Sequence, residues 1–85
     1  MEGKLQVRVG HNLRAYRTAR GMSQEAFADH LQFHRTYMGG IERGERNLTL
    51  RSVERIADRL GLDPMELLAE ASDGDEIRHQ EAGAI

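Results

Sequence analysis

Apolar residues in this chain recur at intervals of three and four, in short runs separated by glycines and cap-forming residues. No stretch alternates with period 2 for long enough to make a strand. The pattern predicts an all-α fold, a compact bundle of five short helices. The first runs from Gln6 to Arg20 with Val9, Leu13 and Tyr16 inward, and Gly21 sits where a left-handed stop belongs. Ser23 caps a second, Gln24 to Leu31, whose inner face is Phe27, Ala28 and Leu31. After a tight turn at Gln32-Phe33, a third runs from His34 or Arg35 to Arg43, with Met38 and Ile41 inward and Tyr37 beside them. Thr49 caps a fourth, Leu50 to Leu60, with the stripe Leu50, Val53, Ile56, Ala57 and Leu60. Asp63-Pro64-Met65-Glu66 opens a fifth: a cap, a proline at the first helical position, and a glutamate three residues after the cap.

With 85 residues and no cysteine, the chain has length for one small core and no disulfide to hold it. Packing alone must suffice, in a size range where dimerisation often helps. Cys-type zinc sites and thiol nucleophiles are excluded. No apolar run exceeds three residues, against the roughly 20 of a membrane span. Met1 to Leu5 has no apolar signal-like segment. A cytoplasmic protein without a membrane partner is expected. Residues 6–71 form the expected domain, and residues 72–85 an acidic, mostly disordered tail.

The net charge of −2 hides an asymmetry. From Arg8 to Arg59 there are ten arginines against six acids; from Leu60 onward there is one arginine against seven acids. Eleven of the twelve basic residues are arginine, whose planar fork suits phosphate and guanine. Solvated helix faces would explain the charge alone; a basic working surface would explain its placement as well.

Two helices of about eight residues joined by a short turn can set the second into a DNA major groove. The outward positions of that second helix are His34, Arg35, Thr36, Gly39 and Gly40, with almost no acid and little bulk. Arg35 can grip guanine O6 and N7, and Thr36 can reach a base edge or a thymine methyl. Gln24, Arg43, Arg46, Asn47 and Ser52 surround the helix with groups suited to phosphate.

The strings Ser23-Gln24-Glu25-Ala26-Phe27-Ala28, Arg35-Thr36-Tyr37, Ile41-Glu42-Arg43-Gly44-Glu45-Arg46-Asn47 and Ile56-Ala57-Asp58-Arg59-Leu60-Gly61-Leu62, with their spacing, resemble the lambda-repressor-like Cro/CI-type (XRE) helix-turn-helix family. Within it, His34-Arg35-Thr36-Tyr37 and Arg46-Asn47-Leu48-Thr49-Leu50 are similar to restriction–modification controller proteins. The resemblance implies base readout by Arg35 and Thr36, and a phosphate clamp at Gln24. It also implies backbone contacts from Arg43, Arg46, Asn47 and Ser52, and a role for Tyr37 near the centre of the site. Arg17 and Glu42 match a structural ion pair of the family. Gly39 and Gly40 stand where many relatives carry base-reading side chains. They either let the backbone approach the groove, or a bent duplex fit, or carry little specificity. His34 replaces the usual Ser or Asp cap, which leaves its imidazole free to lie near phosphate.

Other chemistry finds little support. His30 and His34 are four apart, but the turn between them breaks the ligand register. No carboxylate is flanked by a nucleophile and a histidine. Neither a metal, a cofactor nor an enzymatic activity is expected. The expectation is a DNA-binding transcriptional regulator, nucleoid-associated in a bacterial or phage setting. It would act as a homodimer on a pseudo-palindromic double-stranded operator, through a face made of Ile56, Leu62, Met65, Leu67 and Leu68. The controller resemblance further implies two dimers on tandem sites at its own promoter, with RNA polymerase as a partner. A phage, antitoxin or stress repressor of the same fold, or an interaction module that has lost DNA binding, remains as an alternative.

Overall fold

The computed structural model describes residues 3–70. They form five helices and no strand: α1 (Lys4–Ala19), α2 (Gln24–Leu31), α3 (Arg35–Glu42), α4 (Leu50–Leu60) and α5 (Pro64–Leu68). The start of each of α2 to α5 is fixed by a side chain that satisfies an orphan N–H of the first turn. Ser23 Oγ accepts from the Ala26 N–H at 3.0 Å, and Thr49 Oγ1 from the Ser52 N–H at 3.0 Å. Asp63 and Glu66 form a reciprocal capping box around Pro64. Gly21 and Gly61 take the left-handed conformation expected where α1 and α4 end. No helix among the described residues is long and apolar enough to cross a membrane.

The core draws on all five helices. Val9 and Leu13 come from α1, Phe27, Ala28 and Leu31 from α2, Met38 and Ile41 from α3, Val53, Ile56 and Ala57 from α4, and Leu67 from α5. Several expectations are corrected. Helix α1 begins at Lys4, two residues before Gln6, because the Gly3 carbonyl accepts from the Gln6 and Val7 N–H groups. Tyr16 is only half-buried; its ring stacks on Phe27 at 5.9 Å and carries the Arg20 guanidinium on it at 3.7 Å. Leu50 is the first residue of α4 and is 72% exposed, outside the stripe that reaches the core. In α5, a helix of five residues, Leu67, expected on a self-association face, is buried, whereas Met65, expected on the same face, is 65% exposed. The tight turn between α2 and α3 is made by Gln32 at φ 62°, a left-handed conformation that glycine adopts more readily. The expected acidic tail lies outside the described residues.

Two contacts hold α3 against α1. At Gly10 the helices meet backbone to backbone. A Cβ there would collide with the Ile41 carbonyl oxygen and lie 3.0 Å from that of Glu42. Beside this seam, Arg17 Nε donates to Glu42 Oε2 at 2.8 Å and Arg17 Nη2 to Oε1 at 3.0 Å. The Glu42 side chain is 3% exposed. Breaking such a pair from one side costs about 3–5 kcal/mol, because the surviving charge stays buried without its partner. The hydrogen bond to Glu42 holds the Arg17 guanidinium above its ordinary range, against the opposing effect of burial. Its stabilising contribution is therefore complete below the unfolded-state value and is lost only as pH rises through the folded-state one, far above neutrality.

Helix α5 is secured from α1 as well. Asn12 Nδ2 donates to the carbonyls of Leu67 and Ala69, each at 2.8 Å, and Arg8 Nη1 reaches that of Leu68 at 3.4 Å. These donors serve carbonyls that a five-residue helix cannot satisfy internally.

Gly10→Ala is expected to destabilise the chain by about 3 kcal/mol, at the severe end of overpacking, because the obstruction is rigid backbone. Thermal or denaturant unfolding measures this; unchanged stability would mean that the α1–α3 approach is looser than described.

Candidate nucleic-acid interface

Helix α3 presents its first turn to solvent. His34, Arg35 and Thr36 are exposed, and the turn carries no acid. Only three residues separate α2 from α3, and the Phe33 N–H closes the end of α2 on the Ala28 carbonyl at 2.8 Å. Met38 and Ile41 anchor the opposite side of α3 in the core. Arg35 and Thr36 therefore project from a helix whose position is set by packing and not by their own contacts. Arg35 Nη1 lies 3.3 Å from Glu25 Oε1. Both groups are well exposed, so this pair contributes little to stability and leaves Arg35 free to exchange partners.

Around this turn lie the groups expected to meet the DNA backbone. Gln24, the first residue of α2, donates through Nε2 to Glu42 Oε1 at 3.1 Å. The amide is thus oriented by the same carboxylate that Arg17 holds. Arg43, Arg46 and Asn47 are exposed at and beyond the end of α3. Arg43 Nε lies 3.1 Å from Glu45 Oε1, and the Arg46 guanidinium carbon lies 5.2 Å from the centre of the Tyr37 ring. Tyr37 is half-buried and meets Phe33 edge to face at 5.1 Å, so one ring face rests on apolar surface while Arg46 covers another part. Ser52 is half-buried in the first turn of α4, where its Oγ accepts from Thr49 Oγ1 at 3.0 Å.

Three placements differ from expectation. His34 is the cap of α3, its Nδ1 accepting from the Thr36 N–H at 3.3 Å, so one imidazole nitrogen serves the backbone. Gly39 and Gly40 lie on the outer side of α3, yet both are buried, beneath arms from Gln24, Arg43 and Arg46. Ile56 and Leu67, expected on a self-association face, are filled into this chain's own core at 1% and 2% exposure. Leu62 and Leu68 are half-buried and Met65 is exposed. Sequence reasoning missed the bond from Gln24 to Glu42. The family pairing of Arg17 with Glu42 was the available signal, since it puts that carboxylate at the end of α3, facing the start of α2.

A family model described as a helix-turn-helix domain matches residues 8–71. Control protein C.BamHI of Bacillus amyloliquefaciens is 39% identical over 69 residues, covering 80% of this chain and 85% of that protein. Control protein C.SmaI of Serratia marcescens is 40% identical over 60 residues, covering 71% of each. Among solved structures, the restriction–modification controller protein C.AhdI of Aeromonas hydrophila superposes with a TM-score of 0.64 at 44% identity, over 73% of this chain and 94% of its own. The hypothetical transcription factor NHTF from Neisseria superposes with a TM-score of 0.74 at 29% identity, over 92% and 87%. The chain belongs to the helix-turn-helix family of DNA-binding transcription regulators and is similar, within it, to restriction–modification controller proteins.

Proposed function

We propose that this chain acts as a homodimer on a pseudo-palindromic DNA operator, with Arg35 and Thr36 of each copy reading base edges in the major groove. The observation that carries this is the exposed first turn of α3, anchored from behind and flanked by Gln24, Arg43 and Arg46. One such turn spans only a few base pairs, so two copies about one helical turn apart are needed for a specific site. The backbone contacts fall to Gln24, His34, Tyr37, Arg43, Arg46, Asn47 and Ser52. Exposed Met65, with half-buried Leu62 and Leu68, supplies the apolar part of the dimer contact, while Ile56 and Leu67 support it from within the core.

The likeness to controller proteins supports a finer reading. Two dimers occupy tandem sites at the chain's own promoter, where low occupancy recruits RNA polymerase and full occupancy blocks it. A reporter driven by the DNA upstream of the chain's own gene should then rise and fall as the dose of protein increases. A monotonic fall would instead indicate a plain repressor.

Binding to a duplex selected from random sequence, measured by fluorescence anisotropy across a salt series, tests the interface. Arg35→Ala should lose about 1–3 kcal/mol of discrimination at one guanine in each half-site. Arg46→Ala should weaken selected and scrambled duplexes alike and reduce the salt slope by about one per copy. Equal losses on both duplexes for Arg35→Ala would remove it from base readout.

Met65→Arg should shift sedimentation from dimer to monomer and weaken operator binding, with helix content unchanged. A dimer that survives this change would place the contact elsewhere.

A further inference from the structure

Gly39 and Gly40 are adjacent glycines in the interior of an eight-residue helix, where each is a poor helix former. The core does not require them, because the space their side chains would fill is occupied from outside. A Cβ at position 39 would lie 3.1 Å from Arg43 Nη1 and 3.4 Å from Gln24 Oε1. One at position 40 would lie 3.0 Å from Arg46 Nε and 3.1 Å from Arg46 Cγ. By contrast, a Cβ at Gly10 would run into main chain.

We propose that Gly39 and Gly40 are positioning residues, whose missing side chains leave two shallow sockets on the recognition helix. Gly39 seats Gln24 and Arg43, and Gly40 seats Arg46. The proposal rests on the DNA-binding reading above and assigns the glycines a part in it: they contact no base, but aim the side chains that contact phosphate. Three observations converge. Both glycines are buried, and the atoms nearest to where their side chains would begin belong to the arms of Gln24, Arg43 and Arg46. Gln24 is tied at its far end to Glu42, which fixes it across the first socket. Arg46, lying over the second, is also placed against the Tyr37 ring at 5.2 Å. A long arginine held in this way loses less rotamer freedom when it meets a phosphate than a free one does. Alanine at either position would favour the helix and push the arm aside by a few tenths of an ångström, so fold stability and DNA affinity should move in opposite directions.

Gly39→Ala and Gly40→Ala, made in the full chain, separate these effects. Without DNA, the Arg46 δ and ε proton resonances should carry a ring-current shift from Tyr37; Gly40→Ala should reduce it, with a melting temperature equal to the parent's or a few degrees above it. On DNA, each variant should bind a mixed-sequence duplex and a duplex selected from random sequence roughly tenfold more weakly, by the same factor on both. Unchanged affinity with raised stability would overturn the proposal, as would a loss confined to the selected duplex, which would mean base readout through the glycines. A large fall in melting temperature would also overturn it, since the glycines would then serve packing. Failure of the parent chain to bind either duplex would instead sink the DNA-binding reading, and the Arg46 resonances alone would decide the sockets: an unchanged shift in Gly40→Ala refutes them.

Discussion

The carboxylate of Glu42 is the point at which three helices meet. It takes two N–H groups from Arg17 on α1 and one from Gln24 on α2, while itself ending α3. An almost fully buried charge must have its hydrogen-bond partners, and here it draws them from two different helices. The direction of α3 relative to α1 and α2 follows from that requirement and from the bare backbone at Gly10. So does the orientation of the Gln24 amide. Stability and the candidate DNA face therefore share one buried group.

What surrounds α3 divides into two kinds of side chain. Arg35 and Thr36 stand clear of the protein, and the one ionic partner of Arg35 is exposed and exchangeable. Gln24 is held by the Glu42 carboxylate and Arg46 lies against the Tyr37 ring, while Arg43, like Arg35, is exposed and paired with an exposed glutamate. This difference suits the two tasks of a DNA-binding surface. Contacts that set register benefit from being fixed beforehand, while contacts that discriminate between bases must form or fail according to the sequence they meet.

Much of this was legible in the order of residues, because local chemistry decides it. The caps at Ser23, Thr49 and Asp63 and the stops at Gly21 and Gly61 act within four residues of themselves, so the starts of α2, α4 and α5 and the end of α4 follow directly. The ion pair of Arg17 and Glu42 was accessible only through family resemblance, since nothing local joins positions 25 apart. Gly10 gave no signal: a glycine within an amphipathic run does not announce that another main chain lies against it. Gly39 and Gly40 were expected to face outward, but both are buried, and the arms nearest them come from α2 and from beyond the end of α3, which spacing along the chain does not reveal. In α5, five residues give too little period to tell Leu67 from Met65, and the inward choice is made by where α1 and α4 leave room.

Asn12 carries a consequence for genetics. Its amide closes the carbonyl end of α5, the element that bears Met65, although it belongs to a different helix more than fifty residues earlier in the chain. A helix of five residues has almost no intrinsic stability. Under the pairing proposed through Met65, a lesion at position 12 would disturb that surface from a different helix, and a screen for defective subunit pairing would recover it as though it lay in the contact itself.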